Sequence, residues 1–125
     1  MFETVGLVAE CRRLGVVPLA YSPLGQGRLT GKYSAASPPP GSRTFSTHPM
    51  ERIEPVVAAL RGIGERHDRT PAQVALRWLI AKGAVPIPGA KNADQANQNA
   101  GALGWELSHD DLAMLDAAGL EGTRT

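Results

Sequence analysis

Two short apolar segments, each ending in a glycine-containing turn, constrain the fold of this chain more than any other feature. The first comprises residues 16–21 and leads into Ser22-Pro23-Leu24-Gly25-Gln26-Gly27, and the second comprises residues 84–87 and leads into Pro88-Gly89-Ala90-Lys91. Unbroken apolar runs of this length are typical of parallel strands buried on both faces. Pro18 inside the first run indicates a bulge there. The two turns together indicate one extended ligand.

The second turn has the composition of an anion-binding site. Gly89 lacks the Cβ atom that would keep a ligand away from the backbone, and Lys91 adds a positive charge. A helix predicted to begin near Ala93 offers unpaired N–H groups at its N-terminus. A phosphate group is the ligand that this combination favours.

Helical patterns surround the two predicted strands. Thr70 is a candidate N-cap, with Pro71 at the first helical position and Gln73 where a capping-box partner lies, and Ser108 is a second candidate cap. The apolar spacing predicts helices over residues 3–14, 50–67, 71–82, 93–101 and from 109 onward. This order of elements predicts an α/β fold with parallel strands.

The pattern also indicates an irregular segment and an incomplete sheet. Residues 34–49 are rich in Ser and Pro, and so long a connection is usually either a functional lid or disordered; we expect disorder. Two parallel strands leave both sheet edges open and cannot cover the apolar faces of the predicted helices. As an isolated unit, the chain therefore has the pattern of an incomplete domain.

Composition sets the broad class. The 125 residues, 42% of them hydrophobic, suffice for one core, so a single domain over residues 1–125 is expected. The net charge is +1 with cations and anions interspersed, which argues against nucleic acid as a partner. Without a ~20-residue apolar run or a signal-peptide pattern, we expect no membrane association and a cytoplasmic location. The single cysteine, Cys11, is expected to be a small core residue rather than part of a disulfide or metal site.

Three blocks of the sequence resemble the C-terminal part of an aldo-keto reductase. Residues 20–33 resemble the signature after the seventh barrel strand of that family, and residues 70–80 resemble the helix before the eighth. Residues 86–105 resemble the following block in bacterial and plant-plastid-like members. The resemblance covers nearly the whole chain, yet it implies a partial TIM barrel, with the last two strands and the C-terminal helices of a fold that usually has ~250 residues.

The resemblance implies that the two turns hold NADP(H) in an extended pose. The implied contacts are Tyr21 stacked on the nicotinamide ring, Ser22, Leu24, Gly25 and Gln26 along the pyrophosphate, Gly89, Ala90 and Lys91 at the 2′-phosphate of the adenosine ribose, and Gln95, Gln98 and Asn99 facing that phosphate and the adenine. A lysine beside a helix N-terminus favours a phosphate over the bare hydroxyl of NAD, so NADP is the expected cofactor.

The resemblance also implies a reaction, hydride transfer from the nicotinamide to a carbonyl. In the family a tyrosine donates the proton, tuned by a lysine, an aspartate and a histidine, and these four residues lie in the first half of the barrel. Tyr21 and Tyr33 match other positions, and His48, His67 and His109 lie outside the context of the catalytic histidine. We therefore expect no catalytic residue in this chain and no carbonyl reduction by the chain alone.

Three interpretations follow from the sequence. In the first, the chain joins an N-terminal barrel partner, and the complete barrel reduces small-molecule carbonyls with NADPH. In the second, the chain is a non-catalytic module that binds NADP or associates with itself through its open strand edges and apolar faces. In the third, the sequence is a decayed reading frame without a stable fold.

Overall fold

The computed structural model of the chain describes residues 6–40 and 50–123, with side chains described as far as residue 119. Its order of helices and strands is the predicted α/β alternation. The elements are α1 (Leu7–Leu14), β1 (Leu19–Tyr21), α2 (Met50–His67), α3 (Pro71–Ala81), β2 (Val85–Ile87), α4 (Ala93–Ala100) and α5 (His109–Thr123), with a short 3₁₀ turn at Arg28–Thr30.

The sheet consists of β1 and β2 lying side by side and parallel. Leu19 is opposite Val85 and Tyr21 is opposite Ile87, and the Val85 N–H donates to the carbonyl of Pro18 over 3.0 Å. In a parallel pair the carboxyl ends of both strands lie at the same edge. Both glycine-containing turns therefore begin at one edge of the sheet.

The strands differ from the sequence prediction in length and burial. Each has three residues, and Pro18 precedes β1 instead of forming a bulge within it. Ala20 is buried against Leu79 of α3, whereas Leu19 is 63% exposed and Tyr21 is 82% exposed. The expectation of burial on both faces is therefore wrong for this chain. The reason is that α3 covers one face, and the described residues provide no second layer for the other.

The core lies among α2, α3 and α5. The predicted apolar stripe of α2 is confirmed, because Val57, Leu60 and Ile63 are buried. Trp78 and Trp105 pack against this core, and their indole N–H groups donate to Asp116 and to the Gly101 carbonyl, respectively, each over 2.9 Å. The buried members of this cluster are Leu60, Ile63, Val74, Ala75, Leu107 and Leu115.

Two further predictions concern the N-terminal helix and the irregular segment. Cys11 is a half-buried free thiol rather than a core residue, because α1 buries only Val8 among its described side chains. Within the predicted irregular segment, Ser34 and Ser37 exchange backbone hydrogen bonds of 3.1 Å, and the Ala35 N–H donates to Glu54 of α2 over 2.7 Å. The rest of that segment, residues 41–49, lies outside the described residues, as do residues 1–5 and 124–125.

The predicted capping box of α3 is confirmed. The Gln73 N–H donates to the Thr70 hydroxyl over 3.2 Å, and the Thr70 N–H donates to the Gln73 side-chain oxygen over 3.0 Å. The other predicted cap is confirmed as well, because the hydroxyl of Ser108 accepts from the Asp111 N–H over 3.1 Å. Gly83 follows α3 with a φ of +91°, where glycine is the favoured residue.

A buried carboxylate joins α2 to α5. Asp111 is 3% exposed, it forms an ion pair with Arg66, and its Oδ2 lies 2.9 Å from His67 Nε2 and accepts from the Ser108 N–H over 3.2 Å. Burial raises the pKa of Asp111, but the hydrogen bonds from His67, Arg66 and Ser108 outweigh it and hold the pKa well below its usual range. The ionised carboxylate therefore fastens the last turn of α2 to the first turn of α5.

Asp111 should make the stability of the chain depend on acid. Because its folded pKa lies below the ~3.9 of an unfolded aspartate, its contribution is complete above about pH 4 and is lost as the pH falls below that value. Asp111→Asn should lower the free energy of unfolding by about 2–3 kcal/mol at pH 7 and by progressively less as the pH falls below 4 toward the folded pKa, measured by urea unfolding. Asp110→Asn, at an exposed position in the same turn, should change it by about 0.5 kcal/mol or less. Equal losses in the two variants would contradict this assignment.

Two glycines of α2 should respond in opposite directions to alanine. A Cβ at Gly64 would overlap the backbone carbonyl of Arg69, whereas a Cβ at Gly62 would meet no atom within 4 Å. Gly64→Ala should therefore lower the free energy of unfolding by about 2–3 kcal/mol through overpacking. Gly62→Ala should raise it by about 0.5–1 kcal/mol through helix propensity. Thermal unfolding of both variants measures the difference, and a stabilised Gly64→Ala would disprove the close packing.

Candidate functional site

A groove of about 970 Å³ runs along the edge of the sheet where both strands end. Its walls are the turn after β1, the beginning of α3, the turn after β2 and one side of α4. The residues that line it are Ser22, Pro23, Leu24, Gln26, Gly27, Thr30, Gly31, Lys32, Thr70, Ala72, Gln73, Leu76, Pro88, Gly89, Ala90, Lys91, Gln95, Gln98 and Asn99.

The turn after β1 is coiled tightly by left-handed backbone conformations. Ser22 and Gln26 have φ values of +48° and +58°, which cost energy for residues with a Cβ, and Gly25 and Gly27 take the same region without that cost. The Arg28 guanidinium donates to the Gly25 carbonyl over 3.1 Å. Strained backbone of this kind concentrates at binding sites, where the surrounding structure holds it in place.

The turn after β2 is held by side chains of α4. The Asn99 side-chain amide donates to the Gly89 carbonyl over 3.2 Å, and the Lys91 N–H donates to Gln95 Oε1 over 2.7 Å. Asn92 caps the helix by accepting from the Gln95 N–H over 2.9 Å. The Gln95 N–H, one of the helix N-terminal groups expected to be unpaired, therefore has a partner within the chain. A Cβ placed on Gly89 would meet no atom within 4 Å, so the space next to this residue is open.

The groove is electropositive. Lys91 and Lys32 both line it, and no carboxylate is among the described residues that do so. Lys32 is exposed, and its Nζ lies 5.6 Å from the centre of the Tyr33 ring. Two cations without a neighbouring anion favour a ligand with more than one negative group.

The structure brings most of the predicted site residues into this one groove. Gln95, Gln98 and Asn99 share one side of α4, as their spacing predicted. Tyr21 and Gly25 are the two predicted residues that do not line the groove. Tyr21 stands at the end of β1 with its side chain in the open, and Gly25 accepts from Arg28 behind the turn. Whether these residues contact a cofactor stays a prediction.

Sequence reasoning missed the wall that α3 provides. Gln73 uses its side-chain oxygen in the capping box, and its side-chain nitrogen donates to the Gln98 carbonyl over 2.9 Å. The capping box was readable from the sequence. The bond to Gln98 was not, because it depends on how α3 packs against α4.

The described residues contain no other recognisable chemical centre. No group of three or more His, Cys, Asp or Glu among them could hold a metal ion. No helix in the described ranges is long and apolar enough to cross a membrane. His67 is engaged with Asp111 between α2 and α5 rather than in the groove, His109 begins α5, and His48 lies outside the described ranges.

The family model described as "Aldo/keto reductase family" matches residues 1–119 of the chain. The pyridoxal reductase, chloroplastic, of Arabidopsis thaliana is 40% identical over 124 residues, which cover 98% of this chain and 34% of that protein. The chain thus spans about a third of the length of this curated relative.

Solved structures agree with the sequence comparisons. A glycerol dehydrogenase from Gluconobacter oxydans superposes with a TM-score of 0.77 at 20% identity, over 93% of this chain and 38% of that structure, which shows the fold. A Bombyx mori aldo-keto reductase in complex with NADP superposes with a TM-score of 0.63 at 26% identity, over 92% of this chain and 33% of that structure. The fold of the chain is therefore part of a TIM barrel, and the chain belongs to the aldo/keto reductase family.

Proposed function

We propose that this chain supplies the NADP-binding part of a barrel that reduces aldehydes and ketones to alcohols with NADPH. In this proposal β1 and β2 are the last two strands of the barrel, and α2 to α5 are its C-terminal helices. The observation that carries the proposal is the convergence of both glycine-containing turns and α4 on one groove that holds two lysines and no carboxylate among its described lining residues.

The groove fits an extended dinucleotide phosphate in size and charge. Its volume of about 970 Å³ lies at the upper end of the ~300–1,000 Å³ range of ligand pockets. The open space beside Gly89 lets a phosphate approach the backbone next to Lys91 and the N-terminus of α4. We assign the 2′-phosphate to this end and the pyrophosphate to the turn after β1, where Lys32 is the nearby cation.

Tyr21 and Gly25 do not line the groove, but each can still contribute to cofactor binding. The Tyr21 side chain is 82% exposed at the carboxyl end of β1, so its ring is available to stack on a nicotinamide. Gly25 contributes through the backbone, because its left-handed conformation shapes the turn that the pyrophosphate would follow.

The residues of this chain bind and orient the cofactor in this proposal, and the hydride comes from NADPH. The proton donor is proposed to come from outside this chain. His67 Nε2 is directed at Asp111, and Tyr21 is proposed to stack against the ring. The family's tyrosine, lysine, aspartate and histidine therefore belong to the remainder of the barrel, and the chain alone should not reduce a carbonyl.

The relatives support the cofactor and the reaction class. The Bombyx mori protein was crystallised with NADP, and the Arabidopsis thaliana relative is named for the reduction of pyridoxal. We place the chain in the cytoplasm as part of the same proposal, in which the carbonyl is a small molecule bound only by the complete barrel.

Lys91→Ala should weaken NADPH binding by roughly 10- to 100-fold, because a charge-assisted phosphate contact contributes about 1.5–3 kcal/mol. The measurement is a titration of the 125-residue chain with NADPH and, in parallel, with NADH, followed by nicotinamide fluorescence. NADH lacks the 2′-phosphate, so its weaker binding should change little in the variant.

Arg13→Ala is the matched control, since it removes one positive charge from an exposed position on α1 that does not line the groove. It should leave both titrations within about twofold of the unsubstituted chain. Absence of saturable NADPH binding to the folded chain, or an equal effect of the two substitutions, would reject the proposed site.

A second candidate function rests on the uncovered sheet. Leu19 and Ile87 are 63% and 51% exposed, and with Tyr21 they lie on the face of the sheet that α3 does not cover. A contiguous apolar surface of this kind marks an interaction site. The candidate is a non-catalytic interaction module that pairs with a second copy of itself.

Leu19→Glu should weaken any self-association through this face of the sheet. Burying a leucine side chain contributes about 1.5–3 kcal/mol, so the dissociation constant should rise roughly 10- to 100-fold or more. Sedimentation of the chain across a concentration series measures this. Met114→Glu, at a 47% exposed position on α5, is the control and should leave association unchanged. A chain that stays monomeric at every concentration would rule out pairing with itself.

A further inference from the structure

One side chain connects the beginning of α3 to the last turn of α4. The Gln73 side-chain oxygen accepts from the Thr70 N–H over 3.0 Å, and its nitrogen donates to the Gln98 carbonyl over 2.9 Å. A carboxamide is suited to this because it both accepts and donates. The two bonds orient the amide group and join two walls of the groove.

Gly101 provides the space for this connection. A Cβ at this position would overlap the side-chain amide of Gln73. The backbone of Gly101 is ordinary right-handed helix, with φ of −65° and ψ of −5°, so any residue could adopt it. Glycine is therefore needed here for the close approach of Gln73 and not for its backbone conformation.

The acceptor of this bond belongs to the end of α4. The Gln98 carbonyl also accepts from the Gly101 N–H over 3.1 Å, and Trp105 fixes the Gly101 carbonyl over 2.9 Å from the core side. Carbonyls in the last turn of a helix lack the usual N–H donor four residues on, so the Gln98 carbonyl is held by the Gly101 N–H and by Gln73 together. The end of α4 is thereby held between α3 and the core.

Two hydrogen bonds couple the position of α4 to the turn after β2. Asn99 of α4 donates to the Gly89 carbonyl, and Gln95 accepts from the Lys91 N–H. A shift of α4 away from α3 would therefore carry with it the segment that holds Lys91.

We propose that Gln73 is a positioning residue for the phosphate end of the groove, acting through Gln98 and α4. This inference rests on the proposed function, and it assigns to Gln73 a contribution to the selectivity for a 2′-phosphorylated cofactor, through the placement of Lys91. Glutamate at position 73 would retain the capping acceptor but could not donate to Gln98, and it would add a carboxylate to a groove whose described lining has none.

The test uses three variants of the 125-residue chain and one control. Gln73→Met removes both bonds without adding charge, and Gln73→Glu retains the cap but loses the bond to Gln98. Gly101→Ala displaces the Gln73 amide although residue 101 itself does not line the groove. Ser108→Ala is the control, because it removes the cap of α5 and lowers stability away from the site.

We expect Gln73→Met and Gly101→Ala each to raise the Kd for NADPH roughly 3- to 10-fold while changing the Kd for NADH by less than about twofold. A chain with both Gln73→Met and Gly101→Ala should bind NADPH no more weakly than either single variant, because both substitutions remove the same bond from Gln73 to Gln98. Gln73→Glu should show the same loss at high salt, where the effect of its added charge is screened. Ser108→Ala should lower Tm and leave the ratio of the two Kd values unchanged.

Hydrogen exchange provides a readout that needs no cofactor. Amides of residues 96–101 should exchange faster in Gln73→Met, Gln73→Glu and Gly101→Ala, whereas those of residues 74–81 should remain protected in Gln73→Glu, which retains the cap. Unchanged protection of α4 in all three variants would overturn the inference.

The binding outcomes separate this inference from the proposed function. If the unsubstituted chain binds NADPH but Gly101→Ala binds it equally well, Gln73 does not position α4 and the inference is wrong, even if Gln73→Met is weakened by loss of a direct contact. If the folded, unsubstituted chain does not bind NADPH at all, the proposed function fails and the inference fails with it.

Discussion

The parallel pairing of β1 with β2 is the constraint on which the rest of the structure depends. Because both strands run in the same direction, the turn after Tyr21 and the turn after Ile87 begin at one edge of the sheet. An antiparallel pair would have placed these turns at opposite ends, and the lysines that follow them would not share a groove. The pairing involves only three residues of each strand, yet it brings two segments distant in sequence into one binding surface.

The interactions that stabilise the helical core differ from those that shape the groove. The core of α2, α3 and α5 contains the largest cluster of buried apolar side chains, and Asp111 with Arg66 and His67 joins α2 to α5 without lining the groove. The groove is walled by two turns, by the beginning of α3 and by α4, an eight-residue helix with no buried residue. Its shape therefore depends on individual hydrogen bonds, those of Gln73, Gln95 and Asn99, rather than on close packing.

Local signals in the sequence predicted the local structure well. The capping box of Thr70, the apolar stripe of α2 and the shared face of Gln95 and Asn99 all depend on residues a few positions apart, and all are present. The exposure of Leu19 could not be predicted, because burial of a strand depends on which layers cover it. The place of Lys32 in the groove and the bond from Gln73 to Gln98 likewise depend on tertiary packing, and no spacing rule encodes them.

The sequence separation of the two strands has a consequence for the order of folding. Helices α2 and α3 are neighbours in the chain, so their contacts close a short loop, whereas pairing of Leu19 with Val85 must close a long one. The helical pair is therefore expected to form early, and the sheet to form late and to open first. Ligand affinity would then measure formation of the sheet, the last step of folding. A chain with native circular dichroism of its helices but without the groove would be a folding intermediate rather than the native state.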